Sequence, residues 1–192
     1  MTRGGTREKI AAAARRLLEA EGARAVSMRK VAERAGVSAM GIYHYFPSRE
    51  ALLRAVTAAE FETLAEAARR LPRRSVEARL LSVAGLYIDY ALAQPHVFDY
   101  VFSEPRPGAR RFPKDFRARR SPTLNLVADA LTEGMRSGEI HRGDVWEMAL
   151  HVWAHVHGYV ALYRAGRIAL SPSEFRALYR RSAARLVRGL RG

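Results

Sequence analysis

Residues 27 to 46 read Ser-Met-Arg-Lys-Val-Ala-Glu-Arg-Ala-Gly-Val-Ser-Ala-Met-Gly-Ile-Tyr-His-Tyr-Phe, and no other stretch restricts the fold so tightly. Ser27 suits an N-cap, where its hydroxyl accepts an orphan amide of the first turn. Val31 and Ala35 share one helical face, and Gly36 supplies a left-handed residue that ends the helix before Val37. Ser38 caps a second helix, on which Ile42 and Phe46 continue the apolar face at a spacing of four. Ala32 is small where two helices must cross closely. The pattern predicts two short helices joined at a glycine, with the second free to lie in the major groove of DNA. An ordinary helical hairpin in a bundle core is the alternative.

Charge agrees with a polyanionic partner without proving one. The 192-residue chain carries a formal charge of +14, which favours nucleic acid first and an acidic membrane surface second. The excess is spread out. Residues 1 to 50 hold ten basic against five acidic side chains, residues 106 to 120 seven against Asp115, and residues 171 to 192 six against Glu174. The absence of cysteine excludes disulfides and thiolate metal sites, and fits a reducing cytoplasm. Ile10 to Ala14 is the only apolar run near the N-terminus, and Arg15 and Arg16 interrupt it, so no secretory signal is expected. The most apolar stretch, 145 to 163, is broken by Glu147 and three histidines, which predicts no membrane partner and a cytoplasmic location.

Every convincing segment has helical period, so an all-α fold of about nine helices is expected. The first spans about Thr6 to Glu21, with Ile10, Ala13, Ala14, Leu17 and Leu18 on one stripe. After the hairpin, Pro47-Ser48 restarts the chain into a long helix to about Arg70, before Pro72. Ser75 to Gln94 reads as another, and Pro95 to Phe102 as a short aromatic one. Residues 103 to 113 hold three prolines and Gly108, which predicts a mobile loop. Ser121-Pro122 opens a helix closed by Gly138. Asp144 with Glu147, and Ser171 with Glu174, form capping-box signatures for helices running to about Ala165 and Leu190. The expected division is a DNA-binding domain over 1–47 and an effector-binding, dimerising domain over 48–192.

The helix before the hairpin, the hairpin itself, and Tyr-x-Tyr-Phe-Pro-Ser-Arg-Glu-Ala-Leu leading into a long helix together resemble the TetR family of transcriptional regulators. The likeness covers about Thr6 to Leu53. Trp153-Ala-His-Val-His157-Gly158 looks like the Trp-His-Gly signature of one subgroup of regulatory domains. The resemblance implies a homodimer that binds a palindromic double-stranded DNA operator and releases it when a small-molecule effector enters the C-terminal domain.

Site residues follow from chemistry and from that likeness together. Ser27 and Ser38 sit at helix starts, and the free amides after Ser38 suit a phosphate. Tyr43, His44, Tyr45 and Arg49 match positions that hold backbone phosphates in the family, with Arg49 standing where lysine is commoner. Packing against neighbouring helices is the alternative for Tyr43 and Tyr45. Ala39 and Met40 carry nothing to pair with guanine and suit thymine methyls. Gly41 costs helix stability but lets backbone approach base edges. Arg29 is the candidate for a bidentate guanine contact, with a phosphate clamp as its alternative. Arg3 and Arg7 are read as a flexible arm.

In the C-terminal half, residues 144 to 165 are apolar nearly all round, so the helix must be covered on every side. One face on its own domain and another on a second subunit would do this, together with the striped helix 172–190 (Phe175, Leu178, Tyr179, Leu186, Leu190). A monomer with this helix at its centre is the alternative. Tyr87, Phe98, Phe102, Trp153 and His157 are the effector candidates, against simple core packing. Glu147, His151 and His155 repeat every four residues, but two turns spread them over about 12 Å by helical rise, too far for one metal ion. No catalytic set, metal centre or cofactor is legible. The functional alternative is an all-helical metal-dependent enzyme built on helix 144–165; a nonspecific basic packaging protein is a third reading.

Overall fold

A computed structural model describes residues 3–71 and 75–191, with side chains from residue 5 onward. Pro72 and the Arg3 side chain, both invoked above, lie outside the described residues. The described residues form ten α-helical segments in order: α1 (Arg3–Glu21), α2 (Met28–Ala35), α3 (Ala39–Tyr45), α4 (Arg49–Arg69), α5 (Val76–Ala93), α6 (Pro95–Phe98), α7 (Lys114–Arg117), α8 (Pro122–Ser137), α9 (Val145–Arg164) and α10 (Pro172–Gly189). A 3-10 turn at Ala23–Ala25 precedes α2, and a π turn at Asp99–Ser103 follows α6. No strand occurs among the described residues.

Local chemistry accounts for most boundaries. Ser48 Oγ accepts the Ala51 amide at 3.1 Å, and Ser75 Oγ that of Ala78 at 3.2 Å. Gly138 ends α8 with φ at 81°. Ser171 and Glu174 form the complete capping box expected for α10. Asp144 caps α9 through Oδ1, which takes the Trp146 and Glu147 amides at 2.9 and 3.1 Å, and its other oxygen takes Arg117 at 2.7 Å; only this half of the box is made, without the return bond from the Asp144 amide to the Glu147 carboxylate. Two details differ from expectation. The helix starting at Pro95 widens into a π turn, and α7 forms between the expected loop (103–113) and the helix opened by Ser121, where no element was expected, anchored by buried Phe116 against the Trp153 ring.

Two compact units result: Met1–Glu60 with Gln94–Ala109, and Phe61–Ala93 with Arg110–Gly192. They do not divide at residue 47. The division falls within α4, and the segment carrying α6 returns to the first unit, because Val97, Phe98 and Val101 are buried there and α6 packs on α1. The first unit's core is the α1 stripe with Val31, Ile42, Phe46, Leu52 and Leu53. The second packs α8, α9, α5 and α10 around Leu80, Leu131, Ala149, Val152 and Val187. Leu186 and Leu190 pack against that core, so the stripe on α10 is largely internal.

Candidate nucleic-acid interface and effector site

The hairpin takes the geometry its residues predict. Ser27 Oγ accepts the Lys30 amide at 3.3 Å. Gly36 is left-handed at φ 66°, and the Val37 amide reaches back to Ala32 O at 3.0 Å. Ser38 Oγ accepts the Gly41 amide at 2.9 Å. A Cβ on Gly41 would stand 2.9 Å from that same hydroxyl, so the glycine protects the cap.

The faces of α3 then separate. Ile42 is 0 % exposed and Phe46 1 %, whereas Met40 is 82 % and Tyr43 51 % exposed. Ala39 and His44 are also exposed, while Gly41 and Tyr45 are half-buried. The inner face fixes the helix, and the outer face presents a methyl-rich start followed by a phenol and an imidazole.

Charge on α2 is sorted in the same way. Lys30 and Arg34 both lie on Glu21, at 3.2 and 3.8 Å. Arg29 is exposed and makes no hydrogen bond or ion pair among the described residues. Arg49 is engaged differently from the phosphate contact expected for it. Its Nε donates to Val26 O at 2.6 Å and a terminal nitrogen to Ala23 O at 2.5 Å, which ties the start of α4 to the turn before α2. Arg7 is helical, not part of a loose arm, with its guanidinium 4.8 Å over the Phe46 ring.

The effector candidates fall into both units. Phe98 and Phe102 belong to the first, their rings 5.0 Å apart, with Phe98 fully buried. Tyr87, Trp153 and His157 meet in the second. Trp153 Nε1 donates to Tyr87 Oη at 3.3 Å, and the same oxygen bonds His157 Nδ1 at 2.8 Å. Burial pushes the Tyr87 hydroxyl far above its ordinary range, against a smaller opposing effect of Trp153, so it stays a neutral phenol. The cluster can bind through neutral hydrogen bonds and aromatic faces.

The polar residues of α9 do not gather on an ion. His155 Nε2 bonds Ser182 Oγ at 2.9 Å and its ring packs 5.3 Å from Tyr159. Among the described residues no three His, Cys, Asp or Glu side chains group as metal ligands, and no helix is long and apolar enough to cross a membrane.

Comparison with known proteins places these two halves. Residues 10–56 match the profile described as bacterial regulatory proteins, tetR family. Residues 80–186, more than half of the chain, match the tetracyclin repressor-like C-terminal domain. The chain belongs to the TetR family. It is a DNA-binding transcriptional regulator. Among solved structures, a Rhodococcus sp. RHA1 protein of unknown function is similar at 27 % identity and TM-score 0.78, over 97 % of this chain and 95 % of that one. The regulator FadR from Bacillus subtilis, in complex with stearoyl-CoA, is similar at 21 % identity and TM-score 0.72, over 95 % and 98 %. A tetR-family regulator from Streptomyces coelicolor matches at 20 % and 0.72, over 97 % and 82 %. These last two likenesses speak for the fold alone. No curated protein matches the chain.

Within this TetR chain, sequence reasoning missed the contacts between distant positions. Arg15 Nε meets buried Glu60 at 2.6 Å across 45 residues of sequence, and Arg49 reaches back 23 and 26 residues. No local window contains those pairs.

Proposed function

We propose that the chain is a homodimeric repressor that binds a palindromic operator through α2 and α3, and leaves it when a small molecule occupies the second unit. The observation that carries this reading is the two-faced α3, anchored by Ile42 and Phe46 with Met40 and Tyr43 exposed. Met40 and Ala39 touch thymine methyls, Arg29 reads guanine, and Ser27, Ser38, Tyr43, His44 and Tyr45 hold the backbone, with Gly41 allowing close approach. Arg49 acts from inside, holding the turn that positions α2.

Dimerisation is assigned to α9 and α10. The outer face of α9 carries Ala154, Ala161 and exposed Leu162, with Gly158 between them, where a Cβ would meet nothing within 4 Å. The Tyr87–Trp153–His157 cluster is assigned as the effector's polar handle, suited to an uncharged apolar or aromatic ligand bearing a hydroxyl or carbonyl. That a FadR of the same fold holds stearoyl-CoA supports a small-molecule ligand here. Release is a population shift, in which the ligand favours a conformer whose two reading helices no longer sit one helical turn apart, about 34–36 Å. The enzyme alternative draws no support from these comparisons.

Binding of duplex from the protein's own promoter, against a scrambled duplex at the same salt, tests the reading by fluorescence anisotropy. A preference of about a thousandfold or more supports it; equal affinity for both duplexes returns the packaging alternative.

A further inference from the structure

A groove of about 480 Å³ runs between α5 and α10 of the second unit, walled by Leu81, Leu86 and Gly85 and reaching Asp89, Tyr179 and Arg180. Three observations concern what it holds. Tyr179 is 1 % exposed, and its hydroxyl has no hydrogen-bond partner, a costly state for a buried donor. Burial raises its pKa, with the charge of Asp89 adding to the effect, so this phenol stays protonated and able to donate. Gly85 lies inside α5, where glycine weakens a helix; its φ is not positive and a Cβ there would meet nothing within 4 Å, so neither backbone conformation nor a close neighbour demands it. Its effect is to leave the groove open. Finally, the rim is unbalanced in charge. Asp89 is neutralised by Arg176 at 2.8 Å, whereas Arg180 is exposed and makes no ion pair among the described residues.

We propose that the α5–α10 groove binds an anionic amphiphile, its apolar chain against Leu81, Leu86 and Gly85 and its carboxylate on Arg180, with the Tyr179 hydroxyl, buried beneath the groove wall, turning outward to donate to it. The site is separate from the Tyr87–Trp153–His157 handle and does not depend on it. The orphaned hydroxyl gains an acceptor, and the unpaired guanidinium gains a counter-charge.

Calorimetric titration of the intact protein with decanoate, decanol and decyltrimethylammonium, each below its micelle concentration, tests the proposal. Saturable binding of decanoate, weaker for decanol and absent for the cation, supports it. Gly85→Phe fills the groove and should weaken decanoate by about tenfold or more, while Gly85→Ala stays close to the parent. Arg180→Gln should weaken decanoate by about tenfold and leave decanol within about twofold. Tyr179→Phe should raise the melting temperature, since it deletes an unsatisfied group, yet weaken decanoate several-fold. A purely packing role for Tyr179 predicts the first effect without the second. If Gly85→Phe fails to fold, the Arg180 and Tyr179 variants decide alone. The proposal is overturned by absent saturation, by decanoate binding unchanged in Arg180→Gln and Tyr179→Phe, or by Gly85→Phe splitting a dimer, which would make the groove a subunit seam.

Discussion

Two arginines near the hairpin carry the same charge and different duties. Arg29 is exposed and unpaired, so Arg29→Ala should relax preference at one symmetric pair of operator positions by about 1–3 kcal/mol, read from a panel of single-base operator variants. Uniform weakening of every duplex would make Arg29 a phosphate clamp. Arg49 has its guanidinium on two main-chain carbonyls, so Arg49→Ala should cost stability, about 1.5–3 kcal/mol for bonds from a charged donor. Operator affinity should fall with it, but the slope of log affinity against log salt should stay unchanged. A slope shallower by about one would place Arg49 on a phosphate after all. At position 41, alanine gains helix propensity but crowds the Ser38 hydroxyl, so Gly41→Ala and Ser38→Ala should not be additive in thermal melts. Caps were legible in the sequence because cap and amide lie within three residues. The Arg49 bonds were not, because their partners lie far back along the chain.

At the scale of elements, stripes and caps located most helices, since both are periodic or local signals. The π turn after α6 and the four-residue α7 were not legible; α7 rests on Phe116 meeting Trp153, a tertiary contact with no local pattern. Gly134 was equally silent. A Cβ there would fall 2.5 Å from Ile140 Cγ1 and 3.1 Å from Val76 Cγ1, so Gly134→Ala should destabilise by about 1–3 kcal/mol in denaturant melts, despite better helix propensity. The seam between α9 and α10 carries a pH dependence. Burial, and then the charge of His151, hold the His155 imidazole below its ordinary value of 6.5, with the Ser182 bond opposing. Because the folded value is the lower one, the unfolded chain takes up the proton first. The contribution of His155 is therefore complete above pH 6.5 and declines as pH falls through the folded value. His155→Gln should flatten the stability profile over that interval; an unchanged profile would assign the slope to other groups.

For the molecule as a whole, the sequence carried the family and the helical order, while the compact units did not follow the motif boundary. Helix α6 is placed by what Val97 and Phe98 bury against, and that is not written in the local pattern. The apolar girth of α9 calls for a second covered face, which the proposed dimer would supply. Gly158→Arg on that face should yield folded monomers in sedimentation with poor operator affinity; a retained dimer would move the interface elsewhere. Leu186 is unsuited to this test because it packs on the core. The central claim is that the outer face of α3 meets the bases. Replacing Met40 with a photo-reactive benzoylphenylalanine and irradiating the protein on its operator measures this directly. The account predicts crosslinks to two symmetric sets of bases, about 10–10.5 base pairs apart or a multiple of that, and none from the same probe at exposed Leu170. Equal crosslinking from both positions, or crosslinks scattered without symmetry, would contradict it.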